Sequence, residues 1–282
     1  MNVYDMVTSR IIEELEKGII PWEKPWHGVQ SGAYNRISKK PYSLLNQMIL
    51  HNQGEYASFK QWKDLGGHVR KGEKGEIIVF WKILPVEETD KDGNKIIKHI
   101  PFLKYITVFH ISQVDGVEPL KQESLQDIEP IEEAEHILHD YINRERIQLE
   151  QEASNEAYYS PAADLIHLPL LEQFEKPEEF YSTAFHEATH STMKENRCNR
   201  QEERKGKLVA FGSEEYSKEE LVAEIGAAGI LNSLRIETTH SFRNSAAYIQ
   251  NWLHVLRNDN RFIVSASSKA EKAINYILNR EA

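Results

Sequence analysis

One cysteine, Cys198, stands in 282 residues. That scarcity excludes an internal disulfide framework and agrees with a reducing compartment. Also missing is any apolar run near the roughly 18 residues that a membrane span needs, so no membrane partner is expected. The first residues, Met1-Asn2-Val3-Tyr4-Asp5, lack the charged-then-apolar character of a signal peptide, and a cytoplasmic location is the expectation. No internal repeat is visible, and polar low-complexity sequence is confined to a stretch near residue 120 and a turn over 87–95. The chain is nevertheless 40% hydrophobic, enough to bury a core, and long enough for two domains.

Charge divides the chain in two. Residues 1–116 carry 16 Lys+Arg against 14 Asp+Glu, while the remainder carries 18 against 30. Between these halves, the stretch from Glu118-Pro119 to Glu129-Pro130 is polar, acidic and bracketed by prolines, the composition of a linker. The expected division is a domain over 1–116, a linker over 117–130 and a second domain over 131–282.

In the acidic half, His186-Glu187-Ala188-Thr189-His190 puts two imidazoles one helical turn apart with a carboxylic acid between them. The preceding Phe180-Tyr181-Ser182-Thr183-Ala184-Phe185 contains no Gly or Pro, so a helix can run through and project both histidines from one face. Two neutral imidazoles so placed can bind one Zn²⁺ ion. Glu187 then lies where it can act as general base toward a water activated by the metal, and the reaction implied is amide hydrolysis. The plainer reading is a helix that happens to carry two histidines.

A catalytic zinc site needs a third protein ligand. Ser217-Lys218-Glu219-Glu220 has the capping-box pattern and predicts a helix start that places Glu220 and Glu224 one turn apart on one face. Gly226, Ala227 and Ala228 follow, and these small residues let that helix approach the histidine helix closely. Glu220 is the expected third ligand, with Glu224 behind it as acceptor for a histidine Nδ1–H; the reverse assignment stays open because both share a face. A solvated acidic first turn that complements the helix dipole is the alternative, and it suits Glu219 best and Glu224 least. Cys198 lies eight residues past His190 and reads as an ordinary reduced thiol. The segment Tyr158-Tyr159-Ser160-Pro161 through Leu165-Ile166-His167-Leu168-Pro169 contains a short strand. It is either an edge that holds substrate backbone or a covered strand of the core.

In the first half, residues 3–15 have helical periodicity ending near Gly18. Pro21-Trp22-Glu23-Lys24-Pro25-Trp26 reads as a stiff aromatic loop. Residues 36–74 hold eight cations against three acids. Arg36, Lys39, Lys40, Lys60, Arg70, Lys71 and Lys74, with Tyr42 and Trp62 among them, have the composition of a single-strand nucleic-acid surface, with cations for phosphates and rings for bases. Buried aromatics and solvated lysines are the competing explanation. Gly66-Gly67-His68-Val69-Arg70-Lys71-Gly72-Glu73-Lys74-Gly75 forms a loop able to approach a backbone closely, or an ordinary basic turn. The apolar Ile77-Ile78-Val79-Phe80-Trp81, a turn at Asp92-Gly93-Asn94 and a return over 96–111 predict an antiparallel hairpin. The fold class expected is α+β in two domains: a small α+β domain built on that hairpin, and a mainly helical domain with a short sheet.

These motifs, in this order, resemble a known family. Pro21-Trp22 and Pro25-Trp26, Tyr42 and Asn46, the Gly66 to Gly75 loop, and Tyr105 with Val108-Phe109 are similar to the N-terminal domain of ArdC-type antirestriction proteins. Tyr159, Pro161, Asp164 and Ile166, then His186-Glu187 and His190, residues 219–228, and Tyr248 with Trp252-Leu253 resemble the zincin-like metallopeptidase domain fused to it. The resemblance covers nearly the whole chain. It implies a protein of mobile elements, linked to conjugation, that binds single-stranded DNA and helps incoming DNA evade restriction. The family usually continues Trp-Thr-Gly after the second histidine, whereas here Ser191-Thr192-Met193 follows. The expected function joins single-strand binding to zinc-dependent cleavage of an unidentified protein substrate. A DNA-coating protein whose zinc site is structural or vestigial is the alternative, and a free-standing peptidase whose first domain binds protein is a third.

Overall fold

The computed structural model describes residues 2–22, 32–89, 95–120, 130–200, 214–236 and 245–280. Helix α1 (Val3–Glu16) starts at a capping box in which the Asn2 side chain accepts from the Asp5 N–H and the Asp5 carboxylate accepts from the Asn2 N–H, so two otherwise orphaned donors are satisfied. Its Val7, Ile11 and Leu15, at fourfold spacing, are buried.

Strands β1 (Ala33–Asn35), β2 (Gly54–Ala57), β4 (Glu76–Thr89) and β5 (Lys95–His110) form one sheet in the order β1-β2-β5-β4. β1 and β2 are parallel and the other pairs antiparallel. The expected hairpin is the β4–β5 pair, in register from Glu76↔Val108 to Thr89↔Lys95; its turn lies outside the described residues. Helix α2 (Leu44–Ile49) is tied to β4 by Asn46, whose amide donates to Val79 O and accepts from Val79 N–H, both at 2.8 Å. A side chain here completes the ladder of a buried strand segment. Helix α3 (Phe59–Asp64) and the ribbon of β3 (His68–Val69) with β6 (Val114–Asp115) complete this half.

Beyond it come α4 (Pro130–Glu145), a three-stranded sheet, and four helices: α5 (Pro177–Ser191), α6 (Glu214–Ser233), α7 (Ser245–Asn258) and α8 (Phe262–Ile277). The sheet has the order β7-β9-β8, from Gln148–Glu152, Leu165–Pro169 and Tyr158–Ser160. β9 is thus the central strand, buried along its length, and β8 is an edge, so the two readings of this segment fall on different strands.

The mixed α and β architecture matches the expected class. One hydrophobic core, however, draws on both halves: Val7, Ile11 and Leu15 of α1 and Leu44 and Met48 of α2 pack in the same cluster as Leu253, Ile263 and Ile274. Trp22 is fully buried and meets Trp252 edge to face at 5.0 Å, so the described part of the aromatic loop serves packing; Pro25 and Trp26 lie outside the described residues. Residues 121–129 of the expected linker also lie outside them. Glu118 and Leu120 are held to the first half, by the Arg36 guanidinium and the Glu55 carboxylate respectively.

Candidate metal centre and nucleic-acid interface

Helix α5 opens with Pro177 at its first turn beside Glu178 and Glu179, a start suited by proline's fixed φ and by acids near the positive dipole end. Its apolar face, with Tyr181, Ala184, Phe185 and Ala188, is buried. That packing aims His186 and His190 at α6. Helix α6 begins at Glu214, three residues before the expected Ser217 start, so the capping-box pattern lies inside the helix. The close approach of the two helices is local and specific: a Cβ on Gly226 would stand 2.6 Å from Thr189 Cγ2, which only a glycine avoids.

The two imidazole Nε2 atoms lie 3.0 Å apart. Glu220 Oε2 is 3.5 Å from His186 Nε2, and its Oε1 is 3.4 Å from His190 Nε2. Among the described residues, these three are the one group of His, Cys, Asp or Glu side chains whose ligand atoms, all within 4.8 Å of one another, are placed to share an ion. Two imidazoles and a carboxylate converging between two packed helices, with only 11–16% of each side chain exposed, are the donor set of a divalent transition metal. Glu187, between the histidines, is 7% exposed.

Each histidine also has a carboxylate on its far side. His186 Nδ1 lies 3.7 Å from Glu224 Oε1, and His190 Nδ1 lies 3.6 Å from Glu219 Oε1. Glu224 therefore stands where an orienting acceptor was expected. Glu219 does not fit the solvated first turn: it is buried against Arg200, which donates to its Oε1 at 2.6 Å and its Oε2 at 3.3 Å. Arg200 is itself buried and anchored on Thr192 Oγ1 at 2.6 Å and Thr189 O at 2.9 Å. Nothing local in the sequence distinguishes Glu219 from a surface acid, because its cation lies 19 residues away.

The electrostatics follow from this packing. Burial works against the His190 imidazolium, but pairing with Glu219 and Glu220 outweighs it and raises the group to about 10. His186 is likewise raised: burial opposes the shift and Glu224 and Glu220 drive it. Burial would push the carboxyls up, yet Glu219 is held at about 2 by His190 and Arg200, and Glu220 lies well below the ordinary range beside both histidines. The cluster is thus strongly attractive to a cation.

Around the site, Ser191, Thr192 and Met193 are all buried, and Ser191 Oγ is 2.7 Å from the Tyr141 hydroxyl, so the departure from Trp-Thr-Gly leaves a closed interior. Tyr159 gives its hydroxyl hydrogen to Asp164 Oδ1 at 2.8 Å. Cys198 is partly buried, and burial raises its thiol, which agrees with an unreactive reduced cysteine.

The residues expected on a nucleic-acid surface separate into two groups. Lys39, Lys40, Lys60, Lys71 and Lys74 are exposed. Tyr42 is half-buried, and its hydroxyl accepts from Asn35 Nδ2 at 3.3 Å. Arg70 is exposed but already engaged with Ser112 O, Glu73 and Asp115. Arg36 forms an inward ion pair with the buried Glu55. Trp62 has no exposed surface and donates its indole N–H to Phe109 O at 2.9 Å, so its ring offers no face to a base. An isolated tryptophan among lysines is as readily a core anchor as a stacking platform, and here the ribbon of β3 and β6 covers it.

Two family models match the chain: the N-terminal domain of anti-restriction factor ArdC over residues 1–109, and the zincin-like metallopeptidase over residues 133–269. The chain is 32% identical over 98% of its length to a DNA primase TraC of Escherichia coli, of which it spans 20%. It is 31% identical over 98% of its length to the protein y4eC of Sinorhizobium fredii, of which it spans 91%. The chain thus spans about a fifth of that primase relative. Crystal structures of the antirestriction protein ArdC from plasmid R388 match with a TM-score of 0.75 and 30% identity. The metal-free form is covered over 100% of both chains, and the Mn(II)-bound form over 99% of this chain and 98% of that one. Similarity that runs from end to end, through both modules and in sequence as well as structure, shows that this chain belongs to the ArdC antirestriction family.

Proposed function

We propose that the chain is an antirestriction protein of a mobile element that binds single-stranded DNA through residues 1–116 and cleaves a protein with a Zn²⁺-dependent peptidase site. The observation that carries the peptidase half is the convergence of His186, His190 and Glu220, whose ligand atoms all lie within 4.8 Å of one another, with Glu187 on the same helix. His186, His190 and Glu220 would hold the ion, and Zn²⁺ in such a set acts as a Lewis acid that polarises a carbonyl and eases deprotonation of water. Glu187, almost buried, is the base that takes the water proton and hands it to the leaving amine. Glu224 and Glu219 face the Nδ1 atoms of His186 and His190 at 3.7 and 3.6 Å, and their negative charge there favours the tautomer that leaves each Nε2 as a donor atom. Glu220 rather than Glu224 is the ligand in this reading, because Glu220 faces both Nε2 atoms and Glu224 faces a Nδ1.

The DNA half rests on the exposed lysines of residues 39–74 and on family membership; relatives that are DNA primases as whole proteins are in keeping with it. No described helix is long and apolar enough to cross a membrane, in keeping with the cytoplasmic reading. The test is single-strand binding by wild type and Glu187→Gln in vitro, with protection of incoming DNA from restriction in cells. Both proteins binding and wild type alone protecting is the expected result. Equal protection by both would instead establish a DNA-coating protein whose metal site does no proteolysis.

A further inference from the structure

A cleft of about 370 Å³ opens at the foot of the β4–β5 hairpin, where the hairpin meets α8. Its volume is at the low end of small-ligand sites, about 300–1,000 Å³. Three aromatic residues line it, Tyr42, Phe80 and Trp81. Trp81 is 50% exposed, whereas the other described tryptophans, Trp22, Trp62 and Trp252, are buried. The floor is apolar, from Leu45, Val79, Leu103 and Val264.

The polar lining comes from Ser43, Asn46, Ser268 and Glu271, of which the Asn46 amide is already paired with the Val79 backbone. Glu271 Oε1 accepts the Leu44 N–H at 3.0 Å, which pins the carboxylate and leaves Oε2 as a hydrogen-bond acceptor beside an apolar, aromatic wall. Exposed Lys39 and Lys40 immediately precede Pro41, which also lines the cleft. The site therefore combines flat rings, an acceptor for N–H donors, and cations at its rim. A lipid chain has no use for the carboxylate and an acidic peptide is repelled by it. A nucleotide uses all three: its base stacks, its amino group donates and its phosphate meets lysine.

We propose that this cleft receives one base of a bound single strand, stacked on the half-exposed Trp81, with an exocyclic amino group donating to Glu271. The proposal rests on the single-strand reading above and adds a base-selective site to it. Cytosine and adenine carry such an amino donor, whereas thymine has the O4 carbonyl, an acceptor, where cytosine has its amino group.

The test compares binding of the full-length chain to dC, dT and abasic oligonucleotides of equal length. Wild type is expected to prefer dC over dT, and both over the abasic strand. Trp81→Ala should weaken dC binding by about tenfold, in line with the loss of one stacked base, without changing abasic binding or the melting temperature. Trp81→Phe, which keeps a ring, should restore most of the loss. Glu271→Gln still accepts from Leu44 N–H but presents an amide donor, and should remove or invert the preference for dC over dT. A folded Trp81→Ala protein that binds dC as wild type does overturns the cleft and leaves the single-strand reading standing. A wild type that binds none of the three strands overturns both.

Discussion

Gly226→Ala is a small change with a calculable effect on the metal centre. The added Cβ would lie 2.6 Å from Thr189 Cγ2 and 2.7 Å from Thr189 Oγ1, and relief to ordinary contact at 3.4 Å means an opening of about 0.8 Å between α5 and α6. Thr189 cannot swing aside, because it is fully buried and its Oγ1 donates to Phe185 O at 2.8 Å. Overpacking of this kind costs about 1–3 kcal/mol of stability. The functional cost is larger. His186 and His190 ride on one helix and Glu220 on the other, six residues before Gly226, so the opening moves the carboxylate away from both Nε2 atoms. Metal sites hold ligand distances to about 0.2 Å, so affinity should fall by about tenfold or more. Zinc titration against a chromophoric chelator reads the affinity, and thermal melting of the metal-free protein reads the stability. A Gly226→Ala variant that binds zinc as wild type does, with an unchanged melting temperature, would refute the claim that this glycine sets the distance across the site.

Arg200→Leu strands the buried Glu219 carboxylate, and loss of one partner from a buried pair costs about 3–5 kcal/mol; denaturant unfolding should show it, and a loss below about 1 kcal/mol would mean that Glu219 is solvated after all. Asp164 gives an acid-stability prediction: burial opposes its charge, but hydrogen bonds from Arg197, Lys194 and Tyr159 overcome this and lower the carboxyl from 3.8 to about 2. A carboxyl lowered by folding stabilises above its ordinary value and ceases to do so as the pH falls through the folded one, so the gap between wild type and Asp164→Asn, about 2 kcal/mol at neutral pH, should close between about pH 4 and 2; a gap independent of pH refutes it. Because α1 and α2 share one core with α7 and α8, calorimetry of the whole chain should show a single cooperative transition, and two separated transitions would show that the matched modules unfold independently.

Short-range periodicity carries what was legible in the sequence. Fourfold spacing places His186 and His190 on one face of α5, and Glu220 and Glu224 on one face of α6, whatever the rest of the chain does; an apolar, β-branched run followed by a turn signal marks the β4–β5 hairpin in the same way. Gly226 and the alanines after it announce close helix packing because small residues have few other uses at that density. Tertiary structure decided the rest, since burial belongs to a partner that spacing does not specify. Glu219 is no different in sequence from its neighbours, and only Arg200 turns it from a surface acid into the support of His190. Trp62 and Arg36 stand among exposed lysines in the chain, yet Phe109 O and Glu55 draw them inward, while Trp81, set in an apolar strand run, is left half in solvent at an edge strand. That the first helices and the last complete one core was invisible for the same reason: an amphipathic face says that something covers it, and only the folded chain says what.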